Sequence, residues 1–300
     1  MGQTAGVTDA SRAPLPAVVV VGEALVDVVV ALDGSRTAHP GGSPANVAVG
    51  LGRLGHPVRL LTALGDDDAG ALVRAHLEAS GVEVVAAPLT RTSTAVATLD
   101  AAGVAAYSFD LVWSLPHDLD PGPADWLHVG SVAATLEPGA TVVRRIAAGW
   151  AGPVSYDVNC RPALMPPPAQ TRELVERLVP HCDLVKLSDE DASWLAPGVA
   201  LHELAQQWQR LGARRVVVTE GARGATCWGE PDEGATTVRP EGDAVAVVDT
   251  VGAGDSFMSG LVSSLARHDD VQHAMALAAR VAAVTVGRAG ADPPWARELS

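Results

Sequence analysis

Asp249-Thr250-Val251-Gly252-Ala253-Gly254-Asp255-Ser256-Phe257 is the stretch on which the reading of this chain turns. It follows an apolar run at 245–248 and precedes a helix-like segment at 256–266. Gly252, Ala253 and Gly254 have almost no side-chain bulk, so their amides can come close to a bound group. At a helix start such amides lack partners and carry partial positive charge, which suits a phosphoryl group in transit. Asp255 comes next, in the first turn and beside that anion site. A carboxylate there can accept a hydroxyl proton as the oxygen attacks phosphorus. An isolated first-turn Asp reads as a helix-dipole stabiliser; the Gly-Ala-Gly bend directly ahead of this one favours a base.

Outward from this stretch, short β-branched runs alternate with longer Ala/Leu-rich segments at helical spacing. That is the pattern of βαβ units and a mostly parallel sheet. Strands are expected at 18–22, 59–63, 126–129, 154–157, 184–186 and 216–219, and helices at 44–54, 69–80, 140–148, 171–179, 201–211, 256–266 and 271–284. Continuous rather than alternating apolar strands predict burial on both faces. Two places break the rhythm. Residues 26–32 alternate less clearly and run into a Gly/Pro-rich loop, and 94–109 reads as a hairpin turning at Asp100-Ala101-Ala102-Gly103. Strands that leave the main rhythm can build a small separate sheet, such as a lid. Residues 1–16 show no charged head followed by an apolar body and are expected to be a disordered tail, ahead of one domain at 17–300.

Composition excludes several classes. A net charge of −14 argues against a nucleic-acid surface, although a few cations and backbone amides can still bind an anionic nucleotide. No apolar stretch is long enough to span a membrane. Cys160, Cys182 and Cys227 show no CxxC pairing, which fits a reducing cytoplasm and neither a disulfide framework nor a zinc site. The histidines form no metal-ligand spacing. Lys186 is the only lysine, against twenty arginines, so no Gly-Lys pair exists and the GxxxxGK[ST] phosphate loop is ruled out. Gly50-Leu51-Gly52-Arg53-Leu54-Gly55 matches the dinucleotide pattern GxGxxG, but it ends a helix instead of starting one. These glycines read as capping and close packing, and a dehydrogenase is set aside.

The stretch at 249–257 resembles the C-terminal signature of the PfkB/ribokinase family of carbohydrate kinases. Its partner signature is also present: Gly41-Gly42-Ser43-Pro44-Ala45-Asn46-Val47-Ala48, then Gly55 and Gly65-Asp66-Asp67. The order is the family's, and the resemblance runs from about residue 18 to 294. It implies a ribokinase-like α/β fold, a mostly parallel doubly wound sheet flanked by helices, with a small β-strand lid from about 26–40 and 94–112. It implies Asp255 as catalytic base and Gly252, Ala253 and Gly254 as the anion hole. Asp27, Gly42 and Asn46 would bind the sugar, chemistry that suits them, since carboxylate and amide groups hydrogen-bond hydroxyls and glycine admits a ring. Tyr107 would give apolar cover.

Asp157-Val158-Asn159-Cys160-Arg161-Pro162 resembles the D-x-N-x-R-P segment of fructokinase-like and 2-keto-3-deoxygluconate-kinase-like members, which places Asn159 and Arg161 at the substrate. Lys186-Leu187-Ser188-Asp189-Glu190-Asp191 is similar to the family's magnesium- and phosphate-associated N-x-x-E region. It departs at Ser188 and Asp191, so either Glu190 or Asp191 would serve Mg²⁺. Thr219, Gly221, Arg223 and Gly224 resemble the nucleotide-side turn, and Lys186 and Ser188 would join them. Asp249 and the tail at 281–292 resemble the part that flanks adenine and a monovalent cation such as K⁺.

The expectation is therefore a cytoplasmic kinase that uses MgATP to phosphorylate a primary hydroxyl of a small sugar, fructose first, then 2-keto-3-deoxygluconate or ribose. No nucleic-acid or membrane partner is expected, and a homodimer through the lid is the candidate assembly. The alternative from another class is a non-catalytic sugar or nucleotide sensor.

Overall fold

A computed structural model of the chain describes residues 14–99, 105–229, 234–239 and 246–299. The hairpin turn expected at 100–103 and all but the end of the tail expected at 1–16 lie outside the described residues. The first strand, β1 (Val18–Val21), is a run of four valines buried on both faces. The chain then leaves the main sheet for β2 (Leu25–Val30) and β3 (Arg36–Gly41) and returns through α1 (Ser43–Arg53). The Gly/Pro-rich stretch read as a loop thus contains a strand, which pairs with β2 from Val30↔Arg36 to Leu25↔Gly41. Next come β4 (Val58–Gly65), α2 (Asp68–Ala79) and β5 (Val82–Leu89), followed by a second excursion, β6 (Thr94–Leu99) and β7 (Ala105–Asp110).

The remaining chain alternates in βα units: β8 (Trp126–Gly130), α3 (Gly139–Gly149), β9 (Val154–Asp157), α4 (Pro168–Leu178), β10 (Leu184–Ser188), α5 (Asp189–Leu195), α6 (Leu201–Leu211) and β11 (Arg215–Thr219). Two antiparallel strands, β12 (Ala225–Trp228) and β13 (Ala235–Val238), and two helices, α7 (Ala253–Ala266) and α8 (Val271–Val286), complete it. The apolar run before α7 is not a strand where it is described, and Val247 and Val248 are exposed.

The main sheet has the order β13-β12-β11-β10-β9-β8-β1-β4-β5, parallel from β11 to β5. Helices α3 to α6 bury Val143, Ile146, Leu178, Leu204 and Trp208 on one face. Helices α1, α2, α7 and α8 bury Val47, Leu51, Leu77, Met258 and Met275 on the other. Both faces are covered, so the strands must be apolar throughout. From β1 the chain runs first towards β5 and then back through β8 to β11. The carboxyl ends of β1 and β8 therefore flank the point where open α/β sheets bind ligands.

The small sheet, β3-β2-β6-β7, grows from the carboxyl ends of β1 and β5, beside that point. Its central pair is parallel, Val26↔Thr94 to Val30↔Thr98, and the expected hairpin pairs antiparallel from Thr94↔Asp110 to Leu99↔Ala105. The decoy glycines pack closely, as expected. A Cβ on Gly50 would lie 2.4 Å from Ser259 Oγ, and one on Gly52 would lie 2.3 Å from the Ser80 carbonyl.

Candidate active site

The Gly252 bend delivers Asp255 to the switch point. Gly252 caps α7 in the left-handed conformation (φ 74°, ψ 0°), and a Cβ there would lie 2.4 Å from Ala291 Cβ. Only glycine meets both demands. A Cβ on Gly254 would instead find Lys186 Nζ at an ordinary 3.5 Å. We expect Gly252→Ala to lower the melting temperature clearly and Gly254→Ala to leave it near wild type, because left-handed backbone costs a side chain about 1–2 kcal/mol before any clash. Equal melting curves for the two variants would contradict this account of the bend. The Ala253 amide turns back to the Thr250 carbonyl at 3.3 Å.

Asp255 is buried, 7% exposed, and both its oxygens are held: Ser43 Oγ donates to Oδ1 at 2.7 Å, and Asn46 Nδ2 donates to Oδ2 at 2.8 Å. Both donors come from the start of α1, which α7 packs against. Asn46, expected on the sugar, thus touches the carboxylate expected to be the base. Ser43 was not among the expected site residues.

Beneath the bend lies a buried ion pair. Lys186 on β10 donates to both oxygens of Asp157 on β9, at 2.9 Å each. Burial pushes the Asp157 carboxyl up to about 6 against the pull of Lys186, and the charge of Asp255 pushes the same way. Burial with Lys186 nearby drives the His128 imidazole down to about 3, so it stays neutral and adds no charge to this layer.

The other substrate-side residues sit on the small sheet, at the start of α1 and just after β9. Gly42 has φ 101°, and a Cβ on it would lie 2.6 Å from the Glu23 carbonyl. Asp27 on β2 has an exposed surface, yet its Oδ2 lies 2.1 Å from where a Gly41 Cβ would be, so its carboxyl is partly enclosed. That desolvation raises it, against Arg161 and His39, which lower it. Asn159 adopts φ 39°, rare for a residue with a side chain and typical of strained functional turns. Its Oδ1 accepts from Arg161 Nη1 at 2.6 Å, while its Nδ2 is buried with no partner among the described residues. Arg161 also donates to the Cys160 carbonyl at 2.9 Å, so the guanidinium is folded onto its own loop. Tyr107 lies on β7 opposite Ala97.

The nucleotide-side candidates gather at the ends of β10 and β11. Ser188 and Asp191 form a capping box on α5: Ser188 Oγ accepts from the Asp191 amide at 3.0 Å, and Asp191 Oδ2 accepts from the Ser188 amide at 2.9 Å. Asp191 Oδ1 accepts from the Cys160 amide at 2.9 Å, which ties the substrate loop to this turn. Glu190 is exposed. Arg223 donates to Asp189 at 2.5 Å and so joins the turn after β11 to α5. In that turn, which starts where Thr219 ends β11, Gly221 has φ 55° and Gly224 has φ 99°. Asp249 accepts from the Val251 amide (3.0 Å) and the Gly290 amide (2.9 Å), bonds that hold its carboxyl low. It therefore meets the tail at 281–292.

Glu23, a lone acid in the apolar run that leads out of β1, is buried between β1 and β2. Its Oε2 accepts from the Ala133 amide at 3.1 Å, and burial pushes the carboxyl up to about 7. A charge inside an otherwise apolar strand exit is the signal that marks it.

A parallel sheet with a small sheet at its carboxyl edge, and a glycine bend that presents a carboxylate there, define a ribokinase-like sugar kinase. The chain belongs to the pfkB family of carbohydrate kinases, whose description matches residues 16–297. It is 33% identical over 265 residues to a fructokinase of Vibrio alginolyticus, covering 84% of each chain. It is 29% identical over 278 residues to the aminoimidazole riboside kinase of Salmonella typhimurium, covering 85% of this chain and 83% of that one. A crystal structure of Vibrio cholerae O395 fructokinase with fructose, ADP and calcium superposes with a TM-score of 0.79 at 29% identity, covering 93% of this chain and 95% of that one. No described helix is long and apolar enough to cross a membrane.

Proposed function

We propose that this chain is a fructokinase, which moves the γ-phosphoryl group of ATP to a primary hydroxyl of fructose. The observation that carries the reading is the buried Asp255 carboxylate, held on both oxygens beside the Gly252-Ala253-Gly254 bend. Burying a carboxylate is costly, and a protein that only bound sugar or nucleotide would gain nothing from one fixed there. Asp255 takes the hydroxyl proton as the sugar oxygen attacks. The positive end of α7 and the Lys186 ammonium face the charge on the phosphoryl group.

Asp27, Gly42, Asn159 and Arg161 surround the sugar in this reading. The unpartnered Asn159 Nδ2 is a donor waiting for an acceptor. The small sheet acts as a lid over the sugar, within one catalytic unit at 17–300. Lys186, Ser188, Thr219, Gly221, Arg223 and Gly224 line the nucleotide side. The donor set fits a magnesium ion that arrives on the nucleotide: among the described residues no three acids converge, and each Asp191 oxygen already accepts one amide. Glu190 or Asp191 would then reach the ion through its waters. Bound Mg²⁺ would supply neutralisation of phosphate charge. Asp249 with the tail at 281–292 would hold a monovalent cation.

The identity to fructokinases supports fructose, while the identity to a riboside kinase keeps ribosyl substrates in the comparison. Arg161 would serve an acid sugar as well as a neutral one. An ADP-release assay under saturating MgATP separates these. We expect kcat/KM for fructose to exceed that for 2-keto-3-deoxygluconate, ribose and aminoimidazole riboside by about tenfold or more, the discrimination a few hydroxyl contacts allow. Preference for the acid sugar, abolished by Arg161→Ala, would replace fructose and leave the kinase standing.

A further inference from the structure

The two excursions that build the lid leave the main sheet through neighbouring segments, and those segments are tied to one another. Ser93, before β6, uses its hydroxyl both to accept from the Val112 amide (3.0 Å) and to donate to the Val112 carbonyl (3.1 Å), just after β7. The next residue, Trp113, packs close against Gly139, where a Cβ would fall 2.3 Å from its ring, and its indole donates to the Ala133 carbonyl at 3.0 Å. Ala133 belongs to a short helical turn, Ser131–Ala134, at the carboxyl end of β8. That turn opens on Ser131 with φ 56°, a conformation that needs outside support in a residue with a side chain.

The support comes from Glu23. It lies on the outgoing segment between β1 and β2, 6% exposed, and its carboxylate accepts from the Ala133 amide and from Ser131. The Ala133 peptide groups are thus clasped from two sides, the amide by the strand leaving for the lid and the carbonyl by the strand returning from it. The segment carrying Glu23 is packed tightly as well: Cβ atoms on Gly22 and Gly42 would lie 2.2 Å from Pro44 Cγ and 2.6 Å from the Glu23 carbonyl. The charged group facing this knot is Arg161, from the loop after β9, and the same guanidinium acts on Asp27 on β2. His39, opposite Asp27 on β3, acts on Asp27.

We propose that Glu23 is a positioning residue for phosphoryl transfer: through Ser131 and Ala133 it locks the root of the lid to the main sheet and so fixes where Asp27 meets the sugar. An ionised Glu23 accepts from both donors. A protonated one gives up one acceptor oxygen and loosens the clasp, and with its carboxyl raised to about 7 this change falls near neutrality. The inference rests on the kinase assignment, and its first readout does not depend on the choice of sugar.

That readout is amide hydrogen exchange of the ligand-free protein across β2 and β6. Glu23→Ala should speed exchange there by about tenfold, while Glu23→Gln, which like the protonated acid keeps a single acceptor oxygen, should fall between Glu23→Ala and the ionised wild type. If Glu23→Ala loses protection throughout the main sheet, Trp113→Phe replaces it and must loosen the same two strands. Unchanged exchange in β2 and β6, in whichever variant stays folded, overturns the proposal. The second readout is kinetic, with fructose and MgATP: Glu23→Ala should raise KM for fructose about tenfold, keep kcat within about twofold and leave KM for ATP alone. Wild-type KM for fructose should be higher at pH 6 than at pH 8, and Glu23→Gln should remove that difference. A pH dependence that survives in Glu23→Gln assigns it to another group and overturns the role given to Glu23. If fructose is not phosphorylated at all, the substrate reading fails and the exchange experiment still decides the lock.

Discussion

Asp255→Asn lowers kcat by about 10² or more, the usual worth of a positioned general base, and leaves ATP binding intact. The substitution keeps the size of the side chain and its place in the first turn of α7. Oδ1 can still accept from Ser43, and Asn46 can turn its amide to meet the new NH₂ group. Only the ability to take a proton is lost. Kinetics on the substrate chosen by the sugar panel, with a melting curve and a nucleotide titration, separate this from misfolding. Near-normal turnover by a folded Asp255→Asn protein would reduce Asp255 to a helix-stabilising acid and remove the mechanism proposed here.

Lys186→Met gives the largest expected loss of stability, and a loss that depends on pH. Lys186 and Asp157 are both buried, with side chains 4% and 0% exposed, and each is the other's ionic partner. Removing one member of such a pair leaves a charge in the core and typically costs about 3–5 kcal/mol, on the order of 10 °C in melting temperature. The Asp157 carboxyl already sits at about 6, above its ordinary 3.8. Between those values the folded chain holds a proton that the unfolded chain has released, so this group's contribution to stability falls as pH rises through that window. Without Lys186 the ionised form is worse still, and the remedy is protonation. The deficit of Lys186→Met against wild type should therefore be largest at pH 8 and shrink towards pH 5. Adding Asp157→Asn should recover much of it at pH 8. A deficit that does not vary with pH would mean that Asp157 is not the stranded charge.

The parts of the fold most legible in the sequence are those whose physics is local. β1, β4 and β8 to β11 announce themselves as β-branched runs because both of their faces are covered. β5 does not, since it lies at the sheet edge and its exposure varies along Val82–Leu89, with Glu83 and Pro88 in it. The other edge strand, β13, is half polar for the same reason. α5 went unread because its acids looked like ligands: Asp189, Glu190 and Asp191 occupy the first turn, where acids also serve a helix end. The spacing Ser188-x-x-Asp191 is a capping signal visible without a structure.

In the site, the bend and its carboxylate were legible because they are adjacent in the chain. The bonds from Ser43 and Asn46 to Asp255 span more than two hundred residues, and no local pattern encodes them. Glu23 was visible as a charge among valines and alanines, but its use depends on Ser131 and Ala133, which arrive a hundred residues later.

Lys186 is the only lysine of the chain, and it lies in the core with its ammonium held by two oxygens. Amine-directed chemistry, whether an acylating label, a bifunctional cross-linker or an acetyl-transfer enzyme, accordingly finds no lysine side chain on the outer surface of the folded chain. The fixed positive charge out there is carried by arginine, whose guanidinium stays protonated throughout the range in which proteins remain folded. Alkaline titration will therefore remove no lysine charge from the exterior.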